Sequence, residues 1–227
     1  MTKREMMKIV CSQLAIDYNC KPEDFNKDGV IFTIAEKQEG RREMPFITRR
    51  LEIITIGKSA IVNVSKNMMS FAKRKFEGKS NYDILTSKFV YGVNPYYLPD
   101  VEKIKTIENN SFRFKLIYDN IQLLYSNKDF HNALQYDADS KRPEVLAAVA
   151  YDEEKIVGIA CASADSKTMS QIGVDVLPEY RGNGIAVKLV NMLTSETLDR
   201  SSVPYYTTDC ANINSLKVAF KSGYIPA

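Results

Sequence analysis

The residues best suited to chemistry are Arg181, Gly182, Asn183 and Gly184, within the string QIGVDVLPEYRGNGIA at 171–186. Residues 171–177 alternate and are rich in Val and Ile, which predicts a strand. Pro178 stops it, and the basic, glycine-containing turn follows. From Ile185 the apolar spacing is helical, through Ile185, Ala186, Leu189, Val190 and Leu193. A strand, a glycine turn and a helix start, in that order, form an anion cradle. Several backbone N–H groups with no intrahelical partner converge there, and the helix dipole favours negative charge. Glycine lets the backbone approach a phosphate without a Cβ in the way.

The string Arg181-Gly182-Asn183-Gly184-Ile185-Ala186 resembles the Q/R-x-x-G-x-G/A signature of the GCN5-related N-acetyltransferase (GNAT) superfamily. There it follows a strand ending in a V-x-P-like turn, as Val176-Leu177-Pro178 does here. Asn212-Ile213-Asn214-Ser215 through to Gly223-Tyr224 is similar to the second signature, N-x-x-S/A … G-F/Y. The match extends from about Phe112 to the C-terminus and is closest to a bacterial group with an extra N-terminal region.

This resemblance implies an α/β fold: a mixed, mostly antiparallel central sheet flanked by helices, with an N-terminal α+β extension packed against it. Residues 1–108 would be that extension, contributing to the acceptor site, and 109–227 the acetyl-CoA-binding domain. It implies acetyl-CoA as co-substrate, no metal, and direct attack by a primary amine on the thioester. The pantetheine arm would pair with strand backbone at Val174 and Val176. The pyrophosphate would sit on the N–H groups of Gly182, Asn183, Gly184, Ile185 and Ala186, with Arg181 adding charge-assisted contacts. Asn212 would face the pantetheine arm, cap the last helix, or both.

Two departures bear on catalysis. Many relatives carry a thiolate-protonating tyrosine four residues before the G-F/Y glycine, where this chain has Ala219. Either another hydroxyl substitutes, from Ser215, Tyr205, Tyr206 or Tyr224, or the thiolate leaves unaided. Asp175 is the carboxylate nearest the expected reaction centre and the candidate base. Relatives also continue beyond the G-Y-x-P segment into a closing strand, whereas this sequence stops at Ala227. Truncation, a naturally shortened chain, or a strand from a partner, as in a homodimer, would each fit. The reading from another class is a non-catalytic acyl-CoA-binding or sensor module.

Composition narrows the partners. Net charge is +3, too mild to argue for nucleic acid but suited to an anionic small ligand. The resemblance implies a small-molecule or protein amine as acceptor. The single histidine, His131, cannot by itself make a histidine metal site, and the four cysteines lie far apart. No apolar run reaches membrane-spanning length and no signal-peptide core is visible, so a cytoplasmic location is expected.

The elements that must position these residues read as follows. Thr2 and Glu5 form a capping box before a first amphipathic helix. Residues 30–34 are a candidate strand, and 51–64 a hairpin around Gly57-Lys58. Ser65 is expected to cap the next helix, and a short helix spans 81–88. The tyrosine- and proline-rich 91–99 is expected to be irregular. Residues 112–117 alternate as a strand, while 121–125 and 129–136 carry apolar residues in helical patches. A hairpin over 145–163, the cradle strand, a long helix to about Leu198, a strand over 203–208 and a helix over 214–222 complete the chain.

Overall fold

The computed structural model describes residues 1–42, 49–104, 109 and 111–227. The chain divides into two compact units, Met7–Val93 and Met1–Met6 with Asn94–Ala227.

Helix α1 (Lys3–Asp17) opens with the expected reciprocal cap. Thr2 N donates to Glu5 Oε2 at 2.7 Å, and Glu5 N donates to Thr2 Oγ1 at 3.3 Å. In the first unit, β1 (Val30–Ile34), β2 (Leu51–Thr55) and β3 (Ala60–Val64) form a sheet in the order β1-β3-β2. Ala60, Val62 and Val64 of the central strand pack with Ala72 and Phe76 of α2 (Met69–Phe76) and Ile84 of α3 (Asn81–Leu85). Ser65 does not cap α2 as expected. A 3-10 turn, Lys66–Met68, intervenes, and Ser65 Oγ instead accepts from Arg50 N at 2.5 Å. Ser80 does cap α3, accepting from Asp83 N at 3.1 Å.

The second unit carries β4 (Tyr96–Pro99), β5 (Arg113–Ile117), β6 (Glu144–Asp152), β7 (Lys155–Ala164), β8 (Met169–Val176), α4 (Ile185–Asp199), β9 (Val203–Thr207), α5 (Ile213–Lys221) and β10 (Tyr224–Pro226). The strands form one seven-stranded sheet, β10-β4-β9-β8-β7-β6-β5. Its pairs are antiparallel except β8 with β9. On one face, Ile185, Leu189, Val190 and Leu193 of α4 pack against Ala148, Ala160, Ile172 and Val176. Burying each such aliphatic side chain stabilises by about 1.5–3 kcal/mol, so this spacing fixes how α4 sits. Gly158 permits the close approach: a Cβ there would lie 2.9 Å from Ile185 Cγ2. On the other face, Ile121, Leu124, Phe130, Ala133 and Leu134 cover Ala147, Val149, Ile159 and Cys161.

Two expectations are corrected. Residues 91–99 are not irregular throughout, because Tyr96–Pro99 is a strand with Tyr97 and Leu98 buried. It pairs with β9 on one side and β10 on the other, and Ala227 N donates to Tyr96 O at 2.9 Å. A strand from upstream in the same chain thus lies between β9 and the edge strand β10. Residues 129–136 do not form a helix. Their backbone N–H groups at 132 and 133 bond to a carboxylate on β8 instead.

Candidate active site

The site begins where β8 parts from β9. The two pair in parallel only at Met169↔Val203, Ser170↔Pro204 and Gln171↔Tyr205. Beyond Gln171 the β9 side of β8 is unpaired among the described residues. The ladder on its other side sets which groups that exposes. Leu177 N donates to Val157 O at 3.0 Å, and Asp175 lies opposite Ile159. In an antiparallel pair, alternate residues direct both backbone polar groups to one neighbour. Asp175 and Gly173 therefore bond to β7, while Val174 and Val176 present N–H and C=O toward the opening. Both valines were expected to meet the pantetheine arm, and the fold brings them together there.

The glycine turn follows directly. Gly182 and Gly184 have φ of +87° and +76°, a left-handed conformation that only glycine adopts without strain, and no atom lies within 4 Å of a Cβ built on either. Gly184 occupies the N-cap of α4. Lys188 N, bonded to Gly184 O at 3.1 Å, makes the first bond of the helix ladder. Among the described residues, no acceptor takes the backbone N–H groups of 182–187. Arg181 Nε donates to Val176 O at 3.1 Å, tying the guanidinium to the end of β8. No carboxylate pairs with it among the described residues, so its remaining N–H groups are open to an anion. Asn183 closes the turn, its Nδ2 donating to Tyr180 O at 3.1 Å and its carbonyl accepting from Asn109 Nδ2 at 3.0 Å. Open donors, a fixed arginine and a Cβ-free surface fit a pyrophosphate, and the unpaired edge of β8 fits an amide-bearing arm. The residues present thus suit coenzyme A.

The expected catalytic residues fare differently. Asp175 lies on β8 beside the opening, yet its oxygens are committed elsewhere. Oδ2 accepts from Asn132 N at 2.6 Å and Ala133 N at 3.0 Å, and Oδ1 accepts from Asn132 Nδ2 at 2.6 Å. Gly173 leaves the room this requires, since a Cβ there would lie 1.9 Å from Asn132 O. Asp175, expected as the base, thus anchors the 130–134 segment through both carboxylate oxygens. Tyr224 is 1% exposed, and its hydroxyl lies 2.8 Å from Thr194 Oγ1 inside the α4 core. Burial pushes its phenol well above the usual range. The fold thus sets Tyr224, expected among the catalytic residues, in the core with Val190 and Leu193. Ser215 stands in the first turn of α5 with Oγ 2.7 Å from the Tyr206 hydroxyl. Asn212 caps α5, accepting from Ser215 N at 3.1 Å. Ala219 is buried in the same core. The Gly173–Asn132 contact was not read from sequence, although a glycine inside a β-rich strand signals close approach of another backbone.

Among the described residues no group of three His, Cys, Asp or Glu could hold a metal ion, and no helix is long and apolar enough to cross a membrane.

The sequence model of the GNAT acetyltransferase family matches residues 54–227. The chain belongs to that family. Among solved structures, a GCN5-related N-acetyltransferase-like protein from Streptococcus suis superposes with a TM-score of 0.51 at 17% identity, over 99% of this chain and 96% of that one. At that identity the likeness speaks to the GNAT fold alone. An acetyltransferase of the GNAT family from Colwellia psychrerythraea gives 0.47 at 16% identity, over 60% of this chain and 53% of that one. A GNAT-family protein from Novosphingobium aromaticivorans gives 0.47 at 13%, over 59% of each chain. This chain thus spans less than two thirds of the length of the latter two. No curated protein sequence matches it.

Proposed function

We propose that the protein moves an acetyl group from acetyl-CoA to a primary amine, on a small molecule or a protein, by direct attack. The observation that carries this reading is the unpaired stretch of β8 leading straight into an open glycine turn at the start of α4. When bound, acetyl-CoA supplies an acyl thioester, an electrophile with a good leaving group.

The roles of the chain's own residues follow from where they sit. Backbone N–H groups of Gly182, Asn183, Gly184, Ile185 and Ala186 hold the pyrophosphate, favoured by the α4 dipole. Arg181 adds charge-assisted bonds from a position fixed by Val176 O. Val174 and Val176 hold the arm along β8, and Val176 N–H is available to the thioester oxygen as charge develops on it. Asn212 keeps α5 capped beside the opening. Asp175 holds the 130–134 segment against the outer face of β8.

Incubation of the protein with acetyl-CoA and a panel of spermidine, tyramine, kanamycin and a lysine-containing peptide, with thiol release followed, tests the reading. Release well above the rate in water is expected with at least one amine. Tight acetyl-CoA binding with no release for any amine would instead favour a non-catalytic acyl-CoA sensor.

A further inference from the structure

Tyr206 and Ser215 form a hydroxyl pair with one proton more than the protein uses. Their oxygens lie 2.7 Å apart, and either can be the donor. Tyr206 is only 4% exposed, and no other hydrogen-bond partner is recorded for either hydroxyl among the described residues. Two hydroxyls carry two protons, and the bond between them uses one. The other has no acceptor among the described residues, in a pair whose Tyr206 is buried and whose Ser215 is half-exposed. Tyr224, close by, provides the contrast. Its O–H can donate to Thr194 Oγ1 at 2.8 Å, and Thr194 Oγ1 donates to Val190 O at 2.8 Å, so both of those protons are taken. A phenylalanine at 206 would keep the ring in the core and leave only the half-exposed Ser215 hydroxyl to water, so packing alone does not explain the phenol.

The place of the spare proton matters. Tyr205 is the last residue of β9 that pairs with β8, so Tyr206 stands at the fork. Its ring belongs to the same core as Ile172, Val176 and Ala219. Ser215 lies one helical turn before Ala219 on α5, hence on the same helix face. The hydroxyl pair thus serves the face of α5 on which Ala219 offers no polar group. Burial, the largest influence, raises the Tyr206 phenol above its ordinary value; the Ser215 hydrogen bond opposes it, and a smaller effect of Asp175 adds to it. The phenol is therefore protonated at neutral pH.

Resting on the acetyl-transfer reading above, we propose that Tyr206 donates a proton to the leaving sulfur and that Ser215 is its positioning residue. In the step, the amine nitrogen forms the C–N bond with its lone pair, and the C–S bond breaks with its electron pair on sulfur. The Tyr206 O–H gives its proton to that sulfur, leaving phenolate that Ser215 Oγ–H steadies. The acylated nitrogen loses a proton to solvent, and solvent returns one to the phenolate. The net change is N–H to S–H.

The test needs no acceptor. A free alkyl thiol ionises near the cysteine value of about 8.5, so coenzyme A is largely thiol at pH 7 and increasingly thiolate at pH 9. Calorimetry at both pH values compares coenzyme A with desulfo-coenzyme A, which lacks the sulfur. In the wild type, the preference for coenzyme A should grow about fivefold or more from pH 7 to pH 9, as the phenol meets the thiolate. In Tyr206→Phe that growth should vanish while desulfo-coenzyme A affinity stays within twofold. Ser215→Ala should reduce it and Ser215→Thr restore it. With an active amine from the panel, Tyr206→Phe should lose at least tenfold in kcat without weaker acetyl-CoA binding. Growth that is equal in Tyr206→Phe, or absent in the wild type, overturns the assignment and leaves acetyl transfer standing. Failure of the wild type to bind either compound overturns the acetyl-transfer reading itself.

Discussion

Gly184 shows how much of the site rests on single backbone positions. Its φ of +76° and the open space around it leave the cradle accessible to an anion. Gly184→Ala should lower the melting temperature, because a left-handed non-glycine residue costs about 1–2 kcal/mol. Gly184→Glu adds a negative charge at the same spot and should weaken binding by a hundredfold or more, with a melting temperature close to that of the alanine variant. Calorimetry and a thermal melt measure both, and unchanged affinity in a folded Glu variant would count against the cradle. Tyr224 is the opposite case, a motif residue given over to packing. Tyr224→Phe should cost about 0.5–1.5 kcal/mol in denaturant unfolding, from its lost bond to Thr194, and leave kcat within twofold. A kcat loss of tenfold or more would restore Tyr224 to the chemistry. The cradle was legible in the sequence because strand, turn and helix start are contiguous there. The burial of Tyr224 was not legible, because the motif fixes its position along the chain but says nothing of what surrounds it.

At the scale of elements, the 130–134 segment and β8 depend on each other. Asp175 accepts three N–H bonds from Asn132 and Ala133, and Gly173 provides the space for that contact. Asp175→Ala should destabilise by about 1–3 kcal/mol, because it removes hydrogen bonds to a charged carboxylate. Asp175→Asn should lower the melting temperature while holding kcat within tenfold. A hundredfold fall in kcat at unchanged stability would be the signature of a base and would contradict the anchoring role. The apolar spacing at 129–136 fits a helix, and a propensity argument has no means of seeing a carboxylate forty residues downstream that competes for the same N–H groups. The hairpin of β6 and β7, the long α4 and the final α5 were legible because their periodicities are local and uninterrupted.

Across the larger unit, the sheet takes in a strand drawn from well upstream. β4 lies between β9 and β10 and contributes buried Tyr97 and Leu98, although tyrosines and prolines around it suggest a loop. Such pairing is set by long-range partners and is invisible to a scan along the chain. A fragment of residues 94–227 should therefore fold cooperatively, whereas one of 109–227, which lacks β4, should expose the edges of β9 and β10 and precipitate or melt without a transition. Circular dichroism of the two fragments checks this, and a well-folded 109–227 would show that β4 is dispensable. The central claim is that the parted β8 and the glycine turn together hold coenzyme A. The most direct measurement is a titration of isotope-labelled protein with acetyl-CoA, followed through its backbone amide resonances. The largest saturable shifts should fall on residues 182–187 and on Val174 and Val176. Saturable shifts confined to other residues, or none at millimolar acetyl-CoA, would contradict it.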